Sequence, residues 1–124
     1  MMKKFIEVDE KVTLSEQMEE KIGPVIIINR FNVKPEEVDS FVRAWAADAA
    51  YSKQQPGFIS AQMHRGIGGS SVFVNYAVWE STELFKMAFK NRESHPELVE
   101  KYPPSTVASP HLFKKIAVSG ICVD

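Results

Sequence analysis

The stretch from Val72 to Glu80 (Val-Phe-Val-Asn-Tyr-Ala-Val-Trp-Glu) constrains the fold more than any other part of the chain. β-Branched and aromatic residues dominate it, and neither Gly nor Pro interrupts it, so it reads as a strand. Side chains alternate across a strand. Phe73, Ala77 and Trp79 therefore go to one face, and Val72, Val74, Tyr76 and Val78 to the other. Both faces are largely apolar, which predicts cover on both sides. Asn75 is the exception. It precedes Trp79 by four residues and shares its face, where an amide needs hydrogen-bond partners or a ligand.

A chain of 124 residues is long enough for one domain with its own core. The formal net charge of −1 carries no basic field, so neither nucleic acid nor an anionic membrane is an expected partner. No apolar run approaches the roughly 18 residues of a membrane span, and no signal peptide is expected at the N-terminus. The single cysteine, Cys122, excludes an internal disulfide and any CxxC metal pair. Three histidines without paired spacing make no zinc signature, so no metal is expected. A reducing cytoplasm fits this cysteine usage.

Residues 1–23 read as an N-terminal appendage to a domain spanning 24–124. Phe5 to Val8 suits a short strand. Thr13 and Glu16 fit a capping box, followed by a thin stripe of Leu14, Met18 and Ile22. Val25 to Phe31 is a second strong strand, ending in polar Asn29, Arg30 and Asn32. A helix follows, with Pro35 at its start and Val38, Phe41, Val42, Trp45 and Ala49 on one face. Pro56-Gly57 is a turn, and Phe58 to Arg65 is a strand with Ile59, Ala61 and Met63 opposite Phe58, Ser60, Gln62 and His64. A glycine-rich hairpin leads into 72–80. Ser81 caps a helix with Leu84, Phe85, Ala88 and Phe89 as its apolar face. Pro96 restarts a short helix, the three prolines of 102–110 suggest a loop, and His111 to Ala117 reads as the last strand. The order β-α-β-β-α-β is the ferredoxin-like split βαβ pattern. Helices cover one face of its sheet. The other face keeps apolar side chains, and a homodimer pairing sheet against sheet is the simplest way to bury them.

Three segments, Ile28-Asn29-Arg30-Phe31, Gln55-Pro56-Gly57-Phe58 and Phe73 through Ser81, resemble the antibiotic biosynthesis monooxygenase family in their order and spacing. The resemblance covers roughly residues 24–117. It implies an α+β, ferredoxin-like domain forming a dimeric α+β barrel. It also implies a cofactor-independent monooxygenase that oxidises an aromatic quinol or anthrone-type small molecule with O2. Asn75 and Trp79 match an Asn and a Trp that bind the substrate carbonyl region in polyketide-modifying members. A tyrosine often lies six residues after that tryptophan, and here the position holds Phe85. A neighbouring branch resembles haem-degrading monooxygenases. There Asn29-Arg30 matches a strand-one step and His95 falls near the axial ligand, with haem as the substrate. The tryptophan expected before that histidine is missing, with Ala88 and Phe89 nearby.

Each candidate has a plain structural alternative. Asn75 is a pocket donor or a satisfied buried amide. Trp79 is a pocket wall or core. Asn29 binds substrate or ends a strand. His64 is the natural base for a phenol near neutral pH, or an exposed histidine. His95 is a haem ligand or a solvated residue before proline, and Tyr51 lines a pocket mouth or ends a helix. The expected catalytic set is Asn75, Trp79 and His64, with Asn29, Phe85 and Tyr51 binding substrate. A haem-binding or haem-degrading protein, or a non-catalytic small-molecule-binding dimer, is the alternative.

Overall fold

The structure, a computed structural model, describes residues 4–123. Its sheet has five strands in the order β1-β5-β2-β4-β3. These are β1 (Lys4–Phe5), β2 (Val25–Asn32), β3 (Phe58–Arg65), β4 (Val72–Trp79) and β5 (Val107–Phe113). The helices are α1 (Leu14–Gln17), α2 (Val38–Lys53), α3 (Thr82–Arg92) and α4 (Pro96–Glu100). Strands β2 to β5 with α2 and α3 form the ferredoxin-like β-α-β-β-α-β unit, with the antiparallel order β5-β2-β4-β3.

The two apolar strands of the sequence, β2 and β4, pair along their whole length at the centre of the sheet. Their register sets Asn29 directly opposite Asn75, with Ile27 opposite Ala77 on one side and Phe31 opposite Phe73 on the other. The core divides at this asparagine pair. One cluster gathers Leu14, Val25, Ile27, Trp79 and Phe85. The other gathers Phe31, Phe41, Phe73, Tyr102 and Ala108.

The N-terminal segment joins this unit. β1 runs parallel to β5, and Ile6 N–H continues the pairing to Ala108 C=O at 2.9 Å. Thr13 and Glu16 form the capping box of α1, whose Leu14 is buried in the first core cluster. Beyond the end of β1, Gln17 takes over the outer edge of β5. Its amide accepts from Leu112 N–H and donates to Leu112 C=O, both at 2.9 Å. This side chain does the work of a strand.

Two local features depart from the alternation and loop rules. The last strand begins at Val107 and ends at Phe113, earlier than its prolines suggest. Pro110 falls in the series of Ala108 and Leu112, whose backbone groups face the outer edge, so its missing N–H removes no bond to β2. In β3, Phe58 faces Trp79 and Ser60 faces Val78, leaving Ile59 as a bulge residue. The bulge turns Phe58 to the face of Ala61, away from Ser60, Gln62 and His64.

The turn before Phe58 depends on Gly57, which has φ +92°. A Cβ there would lie 2.5 Å from Leu84 Cβ. Gly57→Ala is therefore expected to cost more than about 1 kcal/mol, since strain and a clash add. A thermal melt showing no loss of stability would contradict this.

Candidate active site

Between the sheet and the helices lies a cavity of about 490 Å³, within the range of small-molecule sites. Its floor is the helix-facing side of the sheet: Ile27, Asn29 and Phe31 of β2, Asn75, Ala77 and Trp79 of β4, and Phe58 and Ala61 of β3. Trp45 and Asp48 of α2, with Phe85, Phe89 and Arg92 of α3, form the roof. Phe5 of β1, Pro110 and Tyr102 complete the wall.

Aromatic rings run in a row along one side. Phe58 meets Trp79 edge-on at 5.4 Å, Trp79 meets Phe85 at 5.7 Å, and Phe85 meets Phe89 at 6.0 Å. The first two contacts are edge-to-face and the last is tilted, and together they hold the rings at defined angles in an apolar wall. The two asparagines of the floor differ. Asn29 Oδ1 accepts Ser109 N–H at 3.1 Å. Asn75 Oδ1 is buried and has no hydrogen-bond partner among the described residues. Leaving a buried polar atom unpaired costs about 1–3 kcal/mol, so this amide is poised for a ligand that supplies the missing bond.

A partly buried polar network lies across from that floor. Arg92 donates through Nε and Nη2 to the two oxygens of Asp48, both at 2.7 Å. Tyr102 OH donates to Asp48 Oδ2 at 2.8 Å. Burial lowers the Arg92 pKa, but the hydrogen bond and charge of Asp48 together raise it above its ordinary value. Burial raises the Tyr102 phenol far above its usual range, reinforced by the Asp48 charge and by the hydrogen bond to it.

The family model described as antibiotic biosynthesis monooxygenase matches residues 24–100, more than half of the chain. The chain belongs to the antibiotic biosynthesis monooxygenase family. No curated protein is a significant match to it. Among solved structures it is similar to a candidate monooxygenase from Shewanella loihica PV-4, with 27% identity and a TM-score of 0.66, covering 77% of this chain and 97% of that one. SnoaB, a cofactor-independent oxygenase from Streptomyces nogalater, is 24% identical with a TM-score of 0.61, covering 80% of this chain and 99% of its own. MhuD, in a variant with two manganese protoporphyrin IX molecules bound per active site, is 23% identical with a TM-score of 0.62 over 78% of this chain and 99% of its own. The match to the monooxygenase family starts at Pro24, so Phe5 reaches the cavity from a segment outside it.

Of the residues singled out from sequence, Asn29, Asn75, Trp79 and Phe85 come together in the cavity of this family member. His64 does not join them. It sits opposite Val74 on the other face of the sheet, exposed, with Nδ1 3.2 Å from Val74 C=O. Strand alternation from Ala61 and Met63 sends it there. Tyr51 and His95 are also outside the lining and pack against each other, ring centroids 4.7 Å apart. The His95 side chain is 43% exposed, and its Nδ1 lies 3.2 Å from Glu97.

Asp48, Arg92, Tyr102, Phe58 and Phe5 were not among the sequence candidates. Asp48 carried a usable signal: it interrupts alanines at 46, 47, 49 and 50, on the helical face shared by Phe41 and Trp45. A charge on such a face needs a buried partner. Arg92 and Tyr102 carried none, because their meeting depends on where α3 ends.

The raised Tyr102 pKa has a consequence for stability. The native state holds this proton more tightly than the unfolded chain. Stability is thus complete below the unfolded value, about pH 10, and falls as pH rises above it. Melting temperatures from pH 9 to 11.5 are expected to fall more steeply for wild type than for Tyr102→Phe. Parallel curves would contradict the network.

Proposed function

We propose that this family member is a cofactor-independent monooxygenase acting on an aromatic quinol or anthrone-type small molecule. The observation that carries the reading is the unpaired Asn75 amide set in the floor of an aromatic-walled cavity. A planar ring system stacks against Trp79 and Phe85, and a ring hydroxyl supplies the donor that Asn75 Oδ1 lacks. The substrate gives one proton to solvent, and the resulting carbanion passes an electron to O2. Radical recombination gives a peroxide anion, which takes a proton back, and loss of water leaves a carbonyl. For an anthrone, one CH2 and one O2 become one C=O and one H2O. The cavity contributes by orienting the ring and by excluding bulk water from the anion.

His64, on the far face, has no direct route to the ring, so this reading assigns it no part in the proton transfer. The cavity's carboxylates among the described residues are Asp48, already paired, and Glu93. A substrate whose C–H or O–H is itself acidic suits such a site. Haem as substrate is the less supported reading, because His95 lies outside the cavity lining.

Oxygen uptake across a panel of anthrones and naphthalene diols tests the proposal. Turnover above the buffer rate is expected with at least one class, and none across the panel would overturn it. Asn75→Ala is expected to lower uptake about tenfold or more while leaving thermal stability equal or higher, because it removes an orphaned amide. Equal uptake would detach Asn75 from the chemistry.

We also propose that two copies pair through the face opposite the helices. Ile28, Val74, Tyr76 and Val78 remain half-buried there, and Phe113, opposite Ile26, is exposed. An apolar sheet face without helices over it calls for a second protein surface as its cover. Sedimentation is expected to give a dimer at micromolar concentration. A stable species near the 14.0 kDa of one chain would reject it.

A further inference from the structure

The guanidinium of Arg92 has two usable edges. Asp48 occupies the edge formed by Nε and Nη2. Among the described residues Nη1 has no protein partner, although Arg92 lines the cavity and its side chain is only 20% exposed. Tyr102 OH fixes Asp48 from a third direction, and Tyr102 is itself buried against Phe31 and Phe41. The guanidinium is therefore held rigidly, with one edge spent on structure and the other left as a charged donor. Geometry of this kind recognises an oxygen acceptor. Asp48 cancels the charge of the pair, so the partner need not be a full anion. A ketone, quinone or phenolate oxygen on a ring suffices.

We propose that Arg92 is a substrate-recognition residue that reads a ring oxygen at the helical side of the cavity, so that the ligand is an aromatic bearing a carbonyl or phenolic oxygen there. This inference rests on the cavity being the substrate site, as in the reading above. It goes beyond that reading by adding a second polar point, on the helical side, to Asn75 on the sheet side. During oxidation of an anthrone or quinol, the negative charge left by proton removal delocalises onto such a ring oxygen. The free Arg92 edge stabilises the anion at that atom. Asp48 and Tyr102 act through Arg92 and are positioning residues.

Equilibrium dialysis with a matched pair of inert probes separates this from its alternatives. Fluorenone carries one ring carbonyl, and fluorene has nearly the same shape without it. Wild type is expected to prefer fluorenone about tenfold or more, the scale of a charge-assisted hydrogen bond. The double variant Arg92→Met with Asp48→Asn removes the donor without stranding a buried carboxylate. It is expected to lose that preference while binding fluorene as wild type does. If it does not fold, Arg92→Lys replaces the two-edged fork with a point charge held at Asp48 and is expected to shrink the preference in the same way. The inference is overturned if the preference survives these variants, if it disappears only in Asn75→Ala, if fluorene binding falls equally, or if wild type binds neither probe. Neither probe reports turnover. A missing oxygen uptake with an intact fluorenone preference would therefore sink the monooxygenase reading and leave Arg92 standing.

Discussion

Everything in the cavity depends on the pairing of β2 with β4. Backbone hydrogen bonds along eight residues of each strand fix their register, and register decides which side chains meet. One residue of slip in β4 would carry Asn75 and Trp79 to the other side of the sheet, away from Asn29 and Ile27. The observed register instead lays the two asparagines side by side between apolar rows. Such a pair is costly in a core and useful in a binding site, and the core divides into two clusters around it.

The apolar wall is built from residues whose positions depend on that sheet. Trp79 is nearly fully buried and belongs both to the core and to the cavity surface. The two descriptions do not compete, because a large ring can pack one face and present another. Phe58 reaches it only because the bulge at Ile59 resets the alternation of β3. Phe85 supplies the next ring from α3, whose start is set by the Ser81 cap accepting Leu84 N–H at 3.1 Å. The aromatic shape of the wall thus persists although position 85 has no hydroxyl.

Opposite the sheet, one carboxylate ties together α2, the end of α3 and the segment after α4. A buried ion pair gains little for stability by itself, since desolvation offsets its attraction. The value of the Asp48 network lies in its geometry: two hydrogen bonds to Asp48, itself held by Tyr102, fix a guanidinium at the cavity surface. The N-terminal segment adds a further wall through Phe5, anchored by β1 on β5 and by Gln17 at the same edge. Lys86 and Glu19 form an ion pair that joins that segment to α3.

The amino-acid sequence by itself determined the main strands and helices and their order, though not the bounds of the last strand. Those follow from local periodicity, caps and breakers, which act within a few residues: Thr13 with Glu16, Ser81, Pro56-Gly57 and the alternation of 72–79. It also placed Asn75 beside Trp79, because spacing along one strand is a local property. Tertiary structure alone decided the rest. The Asn29–Asn75 pair needs the register of two strands far apart in the chain. The inward turn of Phe58 needs a bulge that no composition rule marks. The exclusion of His64, Tyr51 and His95 from the cavity depends on which way each surface faces, and the meeting of Asp48, Arg92 and Tyr102 joins residues up to 54 positions apart. Contacts of that range are set by packing of whole elements, and a residue's own neighbours in the chain carry no record of them.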